Sequence, residues 1–281
     1  MKIRYSSLLF ILVALLITVG CAHNKTIEGF NAIEWFEIGR QASIDNCLDK
    51  ALDAFNKAIE LDPKVAKTYI NRGRTYYYLG NYNQAIADYD KAMELNPKNI
   101  HAYVNRGGTY VKLGNHKQAI ADYDKAIELN PKEAVAYYNR AVAYHNLGNY
   151  SQAIADYNKA IELNPKYAGA FNNRGTFYYK FDNYKQAIAN YNRAIELDAE
   201  FALAYYNRGL AYSAFGNHNQ AIADYDKAIE LNAEFALAYY NRGLAYSAFG
   251  NNNQAIADWK IAARLGLKEA QDYLKQQGIA W

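Results

Sequence analysis

Cysteine is nearly absent. Cys21 and Cys47 are the two in 281 residues, enough for one disulfide at most and too few for a cysteine-stapled fold. No charge of one sign dominates either. Lys and Arg number 31 against 28 Asp and Glu, and Lys2 and Arg4 lie at the very start, which leaves 29 against 28 elsewhere. That balance excludes the electrostatic footprint of a nucleic-acid binder. The sequence has no phosphate-cradling glycine loop, no serine-centred elbow and no Cys/His signature. Its five histidines, His23, His101, His116, His145 and His218, fall at no metal-ligand spacing. No enzyme activity, metal or cofactor is therefore expected. Proline is scarce too: there are only four.

Those four prolines organise the chain. Pro63, Pro97, Pro131 and Pro165 are separated by 34, 34 and 34 residues. A single period that holds every proline marks a repeat architecture, and it sets frames of 32–65, 66–99, 100–133, 134–167, 168–201, 202–235 and 236–269. Within 66–99, small and apolar residues recur at three- and four-residue spacing in two stretches, the helical period. The first stretch runs from about Ala66 to Leu79, and Gly80 suits the left-handed turn that ends a helix. Asn81 and Gln84 then form a capping-box pair for the second helix, repeated at 115/118, 149/152, 183/186, 217/220 and 251/254.

Two further patterns predict packing. Gly takes position 8 of six frames (Gly39, Gly73, Gly107, Gly175, Gly209 and Gly243), with Ala141 in the other. Glycine weakens a helix interior, so its recurrence there predicts close approach of the paired helix. Tyrosine is abundant, 28 residues, and at positions 4, 11 and 24 it reads as filling between helices. Arg at position 7 (72, 106, 140, 174, 208 and 242) and Asp at position 23 (88, 122, 156, 224 and 258, with Asn190) are expected to meet across each helix pair.

The frame closely resembles the tetratricopeptide repeat. In 66–99 the family's favoured positions 4, 8, 11, 20, 24, 27 and 32 hold Tyr69, Gly73, Tyr76, Ala85, Tyr89, Ala92 and Pro97. Departures are Ala199, Ala233 and Leu267 at position 32 of the last three frames, and Ala42 at position 11 of the first. The resemblance implies an all-α, right-handed superhelical solenoid of seven helix-turn-helix repeats. Residues 270–281 read as a C-terminal cap, with Ala270 and Leu274 covering the last repeat.

The N-terminus reads separately. Lys2 and Arg4 precede Leu8–Val19, an apolar run of 12 residues, short of the roughly 20 that span a bilayer. Thr18-Val19-Gly20-Cys21 is similar to the bacterial lipobox, with Thr where that family usually has Leu. The resemblance implies a signal peptide over 1–20, lipid on Cys21 and a tether over 21–31; the alternatives are an ordinary cleaved signal, which would leave a soluble exported chain, or an uncleaved N-terminal anchor. In the lipidated reading Cys47 has no partner. Ala22 rather than Asp after the cysteine implies an outer-membrane lipoprotein facing the periplasm.

The family binds partners along the first helices of its repeats, at positions 2, 5, 9, 12 and 13. That places Arg40, Lys67, Arg74, Tyr77, His101 and Lys112 in the early groove, Tyr138 and Asn172 in the middle, and Leu203, Tyr206, Leu210, Leu237, Tyr240 and Leu244 at the end. The groove would run from basic to apolar, although the leucines could instead be core. Asn at position 6 could contact a ligand or the next repeat. No frame has the Lys-at-5, Asn-at-9 pair with which some members clamp chaperone tails. The expected function is a lipid-anchored envelope scaffold that binds a peptide or helix of another protein. The alternative is a structural spacer or self-associating array.

Overall fold

The structure, a computed structural model, describes residues 29–281. The lipobox, Cys21 and the apolar run lie outside the described residues. Among those described, fifteen helices and no strands occur. They divide into two compact units, up to Leu147 and from Gly148.

The first unit holds α1 (Ala32–Ile44), α2 (Leu48–Leu61), α3 (Ala66–Tyr78), α4 (Tyr82–Leu95), α5 (Ile100–Lys112), α6 (His116–Leu129) and α7 (Ala134–Asn146). The second holds α8 (Tyr150–Leu163), α9 (Ala168–Lys180), α10 (Tyr184–Leu197), α11 (Ala202–Ala214), α12 (His218–Leu231), α13 (Ala236–Ala248), α14 (Asn252–Arg264) and α15 (Lys268–Gln276). Within each unit consecutive helices pack on one another, and first helices of successive frames also touch, as α3 does α5 and α9 does α11.

The turn inside each frame explains the tight hairpin. Gly80 has φ +78° and donates to the Tyr77 carbonyl at 3.0 Å, while Asn81 donates to the Tyr76 carbonyl at 2.8 Å. This pair of bonds ends α3 in a Schellman motif, which needs a left-handed residue. The same geometry corrects the capping-box expectation. Asn81 is already tied to α3, its ψ is 63°, and its side chain makes no cap bond. Asn115, Asn149, Asn217 and Asn251 are alike, and Asn183 makes a single 3.3 Å bond from the Gln186 N–H. The reciprocal box forms instead at Asn31, whose extended ψ of 172° lets Oδ1 accept from Ile33 and Glu34 while Glu34 accepts from Asn31. Between frames, Asp62 and Asn96 accept from the N–H two residues on and turn the chain at the prolines.

The core is a layer of alanine against aromatic rings. Tyr89, Tyr123, Tyr191 and Tyr225 at position 24, with Phe55 in the first frame, are essentially buried. A Cβ on Gly73 would lie 2.8 Å from Tyr89 Cε1, and one on Gly209 2.6 Å from Tyr225 Cε1. The glycines therefore make room for the ring, as the sequence pattern implied. At the end of the chain, Ala270 and Leu274 of α15 are buried against Trp259, Ala262 and Ala263. The reading of Cys47 rests on Cys21, which lies outside the described residues.

Candidate functional site: the first-helix faces

Arginine at position 7 is a structural clamp, and that removes it from the ligand surface. Arg72 donates from Nε and Nη2 to both Asp88 carboxylate oxygens, at 2.8 and 2.6 Å. Arg208 and Arg242 hold Asp224 and Asp258 the same way. The expected pairing of positions 7 and 23 is met. Each Nη1 also reaches back one frame to position 25: Arg72 to Asn56 at 2.7 Å, Arg106 to Asp90 at 2.5 Å, Arg140 to Asp124 at 2.5 Å and Arg208 to Asn192 at 2.7 Å. The rings at positions 4 and 11 flank the same guanidiniums, for example Tyr69 at 5.6 Å and Tyr76 at 5.9 Å from Arg72. One side chain thus ties a hairpin internally and to its predecessor. The ladder stops at both ends, where Ile38 replaces the arginine and Lys260 replaces the position-25 acceptor.

The clamps differ in charge. Hydrogen bonds to Asp122, with Asp90 beside it, hold the Arg106 guanidinium above its ordinary value. Arg174 has amides only, Asn190 and Asn158, each at 2.7 Å, and burial lowers it.

Position 6 also bridges frames. Asn207 Nδ2 donates to Asn172 Oδ1 at 2.9 Å and Asn241 Nδ2 to the Tyr206 hydroxyl at 3.1 Å. This corrects two groove expectations. Asn172 is 2% exposed and held by neighbouring asparagines, so it is an inter-repeat bond. Tyr206 is 9% exposed, with its ring 6.0 Å from Tyr225 and 4.7 Å from Phe235, and burial pushes its hydroxyl up to about 12.

The other named residues remain reachable. In the first unit Arg40, Lys67, Arg74, His101 and Lys112 are exposed, and Tyr77 and Tyr138 are half-buried. Arg40 pairs with Glu37 at 2.7 Å, and Lys67 lies 4.5 Å over the Phe36 ring. In the second unit Leu203, Leu237 and Leu244 are 43–45% exposed, so they are not core. Leu210 is half-buried against the core around Tyr206 and Tyr225, as the alternative core reading had it, and Tyr240 is half-buried against the core around Trp259.

The sequence also holds a simpler signal. The first helices α3, α5, α7, α9, α11 and α13 contain no Asp or Glu at all. From Ala66 to Leu267 the acids sit on second helices and in turns, so exposed cations (Lys67, Arg74, Lys112) stand unopposed on α3 and α5, and exposed leucines (Leu203, Leu237, Leu244) on α11 and α13. Coulomb attraction on such an acid-free face is opposed by nothing on its own layer. Among the described residues no group of three His, Cys, Asp or Glu could hold a metal ion, and no helix is long and apolar enough to cross a membrane.

Comparison with known proteins follows the same lines. A tetratricopeptide repeat model matches residues 134–167 and 202–235, a second 54–87, 156–189 and 224–257, and a TPR repeat model 73–114, 107–148 and 178–216. Together these run without a gap from 54 to 257. A tetratricopeptide repeat protein from Parabacteroides merdae is 26% identical, with a TM-score of 0.67 over 87% of this chain and 97% of that one. YrrB, described as a TPR protein with an unusual peptide-binding site, is 28% identical at a TM-score of 0.52, over 68% of this chain and 99% of that one. A lipoprotein NlpI homolog from Haemophilus influenzae is 41% identical over 51 residues, which is 18% of this chain and only 16% of that protein's length.

Proposed function

The chain belongs to the tetratricopeptide repeat family, and from that premise we propose that it docks a segment of a partner protein on the first-helix faces of its repeats. Its architecture is that of a protein–protein interaction scaffold and not of an enzyme. The observation that carries the finer reading is the acid-free first-helix layer. The first unit offers Lys67, Arg74 and Lys112 beside Tyr77 and suits an acidic stretch. The second offers Leu203, Leu237 and Leu244 beside Tyr240 and suits an apolar one. Peptide-binding YrrB, which shares the fold, supports this. Fluorescence anisotropy with synthetic peptides tests it. An acidic peptide should bind the first unit and lose affinity as salt rises and with Lys67→Glu/Arg74→Glu, and an apolar peptide should bind the second and lose affinity with Leu237→Ser/Leu244→Ser. Equal binding of a basic peptide would overturn the assignment.

The anchor belongs to the same reading. Cys21 carries a lipid thioether and holds the scaffold in the cell envelope, at the outer membrane facing the periplasm. The Gly20-Cys21 junction after the apolar run supports this, as does the likeness to a lipoprotein. Intact-mass analysis of the membrane fraction decides it. Acyl mass on a chain starting at Cys21, lost in Cys21→Ser, is the expected result. A chain without acyl mass, lighter than its reduced form by the two hydrogens of a disulfide, would put that sulfur in a bond to Cys47 and overturn the anchor.

A further inference from the structure

The two edges of the second unit are chemically unlike. In-frame turns, between first and second helices, read Phe181-Asp182-Asn183, Phe215-Gly216-Asn217 and Phe249-Gly250-Asn251. Between-frame turns at the opposite ends of the same helices read Asn164-Pro165-Lys166-Tyr167, Asp198-Ala199-Glu200-Phe201 and Asn232-Ala233-Glu234-Phe235. The second edge is densely charged with both signs: Asp198, Glu200, Glu234 and Lys166 lie in the turns, and Glu162, Glu196 and Glu230 in the last helical turns before them pair with Lys159, Arg193 and Lys227. The first edge has one acid. Asp182 accepts from the Tyr184 hydroxyl at 2.6 Å, and it lies between the exposed cations Lys180 and Lys185. The turns at 215–217 and 249–251 carry no charge.

On this sparsely charged edge three phenylalanines are exposed. Phe181, Phe215 and Phe249 are 52%, 47% and 47% exposed, all at position 14, the residue that closes the first helix. Neighbouring turns lie side by side. The Phe181 ring is 5.3 Å from Tyr150, which opens α8, and the Phe249 ring is 5.7 Å from His218, which opens α12. All three rings are about half exposed where their helices end, so they can enter a soft phase without a matching pocket.

We propose that this edge of the second unit docks on the interfacial layer of a phospholipid bilayer, with Phe181, Phe215 and Phe249 as the inserted groups. Aromatic rings partition to the headgroup boundary, where neutral amides such as those of Asn183, Asn217 and Asn251 stay hydrated. Lys185 faces anionic headgroups, Lys180 lies on the same edge 4.4 Å over the Tyr150 ring, and the densely charged opposite edge is kept toward water. The contact is independent of the peptide-binding reading and leaves the first-helix faces open.

The test uses the full chain in vesicles of phosphatidylethanolamine and phosphatidylglycerol whose acyl chains are brominated, a quencher of tryptophan. Phe215→Trp places a probe on the phenylalanine edge and Ala233→Trp places one on the opposite edge. Each is read as the difference from the parent chain. The expected result is loss of most of the added emission in Phe215→Trp, with a blue shift, and no loss in Ala233→Trp. Adding Phe181→Ser and Phe249→Ser to Phe215→Trp should restore its emission. Equal quenching at both edges would assign it to tethering alone and overturn the proposal. So would an unquenched probe in Phe215→Trp, or quenching that survives removal of the other two phenylalanines.

Discussion

Two adjacent glycines in α5 give the packing account its sharpest test. A Cβ on Gly107 would lie 2.7 Å from Cε1 and 2.9 Å from Cζ of Tyr123, a ring only 1% exposed. A Cβ on Gly108 would meet nothing nearer than the Tyr123 hydroxyl oxygen at 3.9 Å. Both substitutions to alanine gain the same helix propensity, about 0.5–1 kcal/mol. Only the first must also displace a buried ring, and overpacking of that kind costs about 1–3 kcal/mol. Gly107→Ala should therefore destabilise by about 1–2 kcal/mol, and Gly108→Ala should stabilise by up to about 1 kcal/mol. Chemical denaturation followed by circular dichroism reads both. Tyr123→Leu removes the clash, so Gly107→Ala in that background should cost little, and the double mutant should fall short of the sum of the singles. Two changes of the same sign would refute the claim that ring contact selects glycine at position 8.

The clamps and the cap give further expectations. Arg106→Met leaves the buried Asp122 carboxylate without its partner and should cost about 2–4 kcal/mol in denaturation, whereas Asn190→Asp supplies Arg174 with the carboxylate it lacks and should raise stability by about 1 kcal/mol. Leu274→Ala should loosen α15 from Trp259 at a cost of about 2–4 kcal/mol, seen as faster hydrogen exchange in α14 and α15. Burial raises the hydroxyls of Tyr89, Tyr123, Tyr191, Tyr206 and Tyr225. A raised folded value means that stability is present below the unfolded value and is lost as pH rises, for Tyr206 through about 12. An alkaline titration at the tyrosinate absorbance should show these groups ionising together with unfolding, after the surface tyrosines.

The repeat frame, the helix pairs, the position-8 contact and the Arg–Asp pairing were legible because each is a local rule written several times at one spacing. The caps were not. Asn and Gln at the right interval predict a box, but the Schellman bond already fixes the Asn81 backbone outside the extended region that the box needs. Position 25 was invisible for another reason. Asn56, Asp90 and Asn192 read as solvated surface until the preceding frame is placed beside the next arginine. Asn172 and Tyr206 fit the groove template by number, yet position 6 of the following frame ties both down. The leucines resolved the other way: at 43–45% exposure Leu203, Leu237 and Leu244 are available to a partner. That the first helices from α3 to α13 carry no acid could have been read directly from the sequence.

Site-specific photocrosslinking in cells tests the central claim most directly. The full chain would carry the photoreactive residue in turn at Lys67 or Leu237 on first helices, and at Glu94 or Glu196, exposed on second helices. Binding on the first-helix faces predicts that a discrete partner adduct forms at Lys67 and Leu237 and is absent at Glu94 and Glu196. Adducts confined to Glu94 and Glu196, or equally strong at all four, would contradict it.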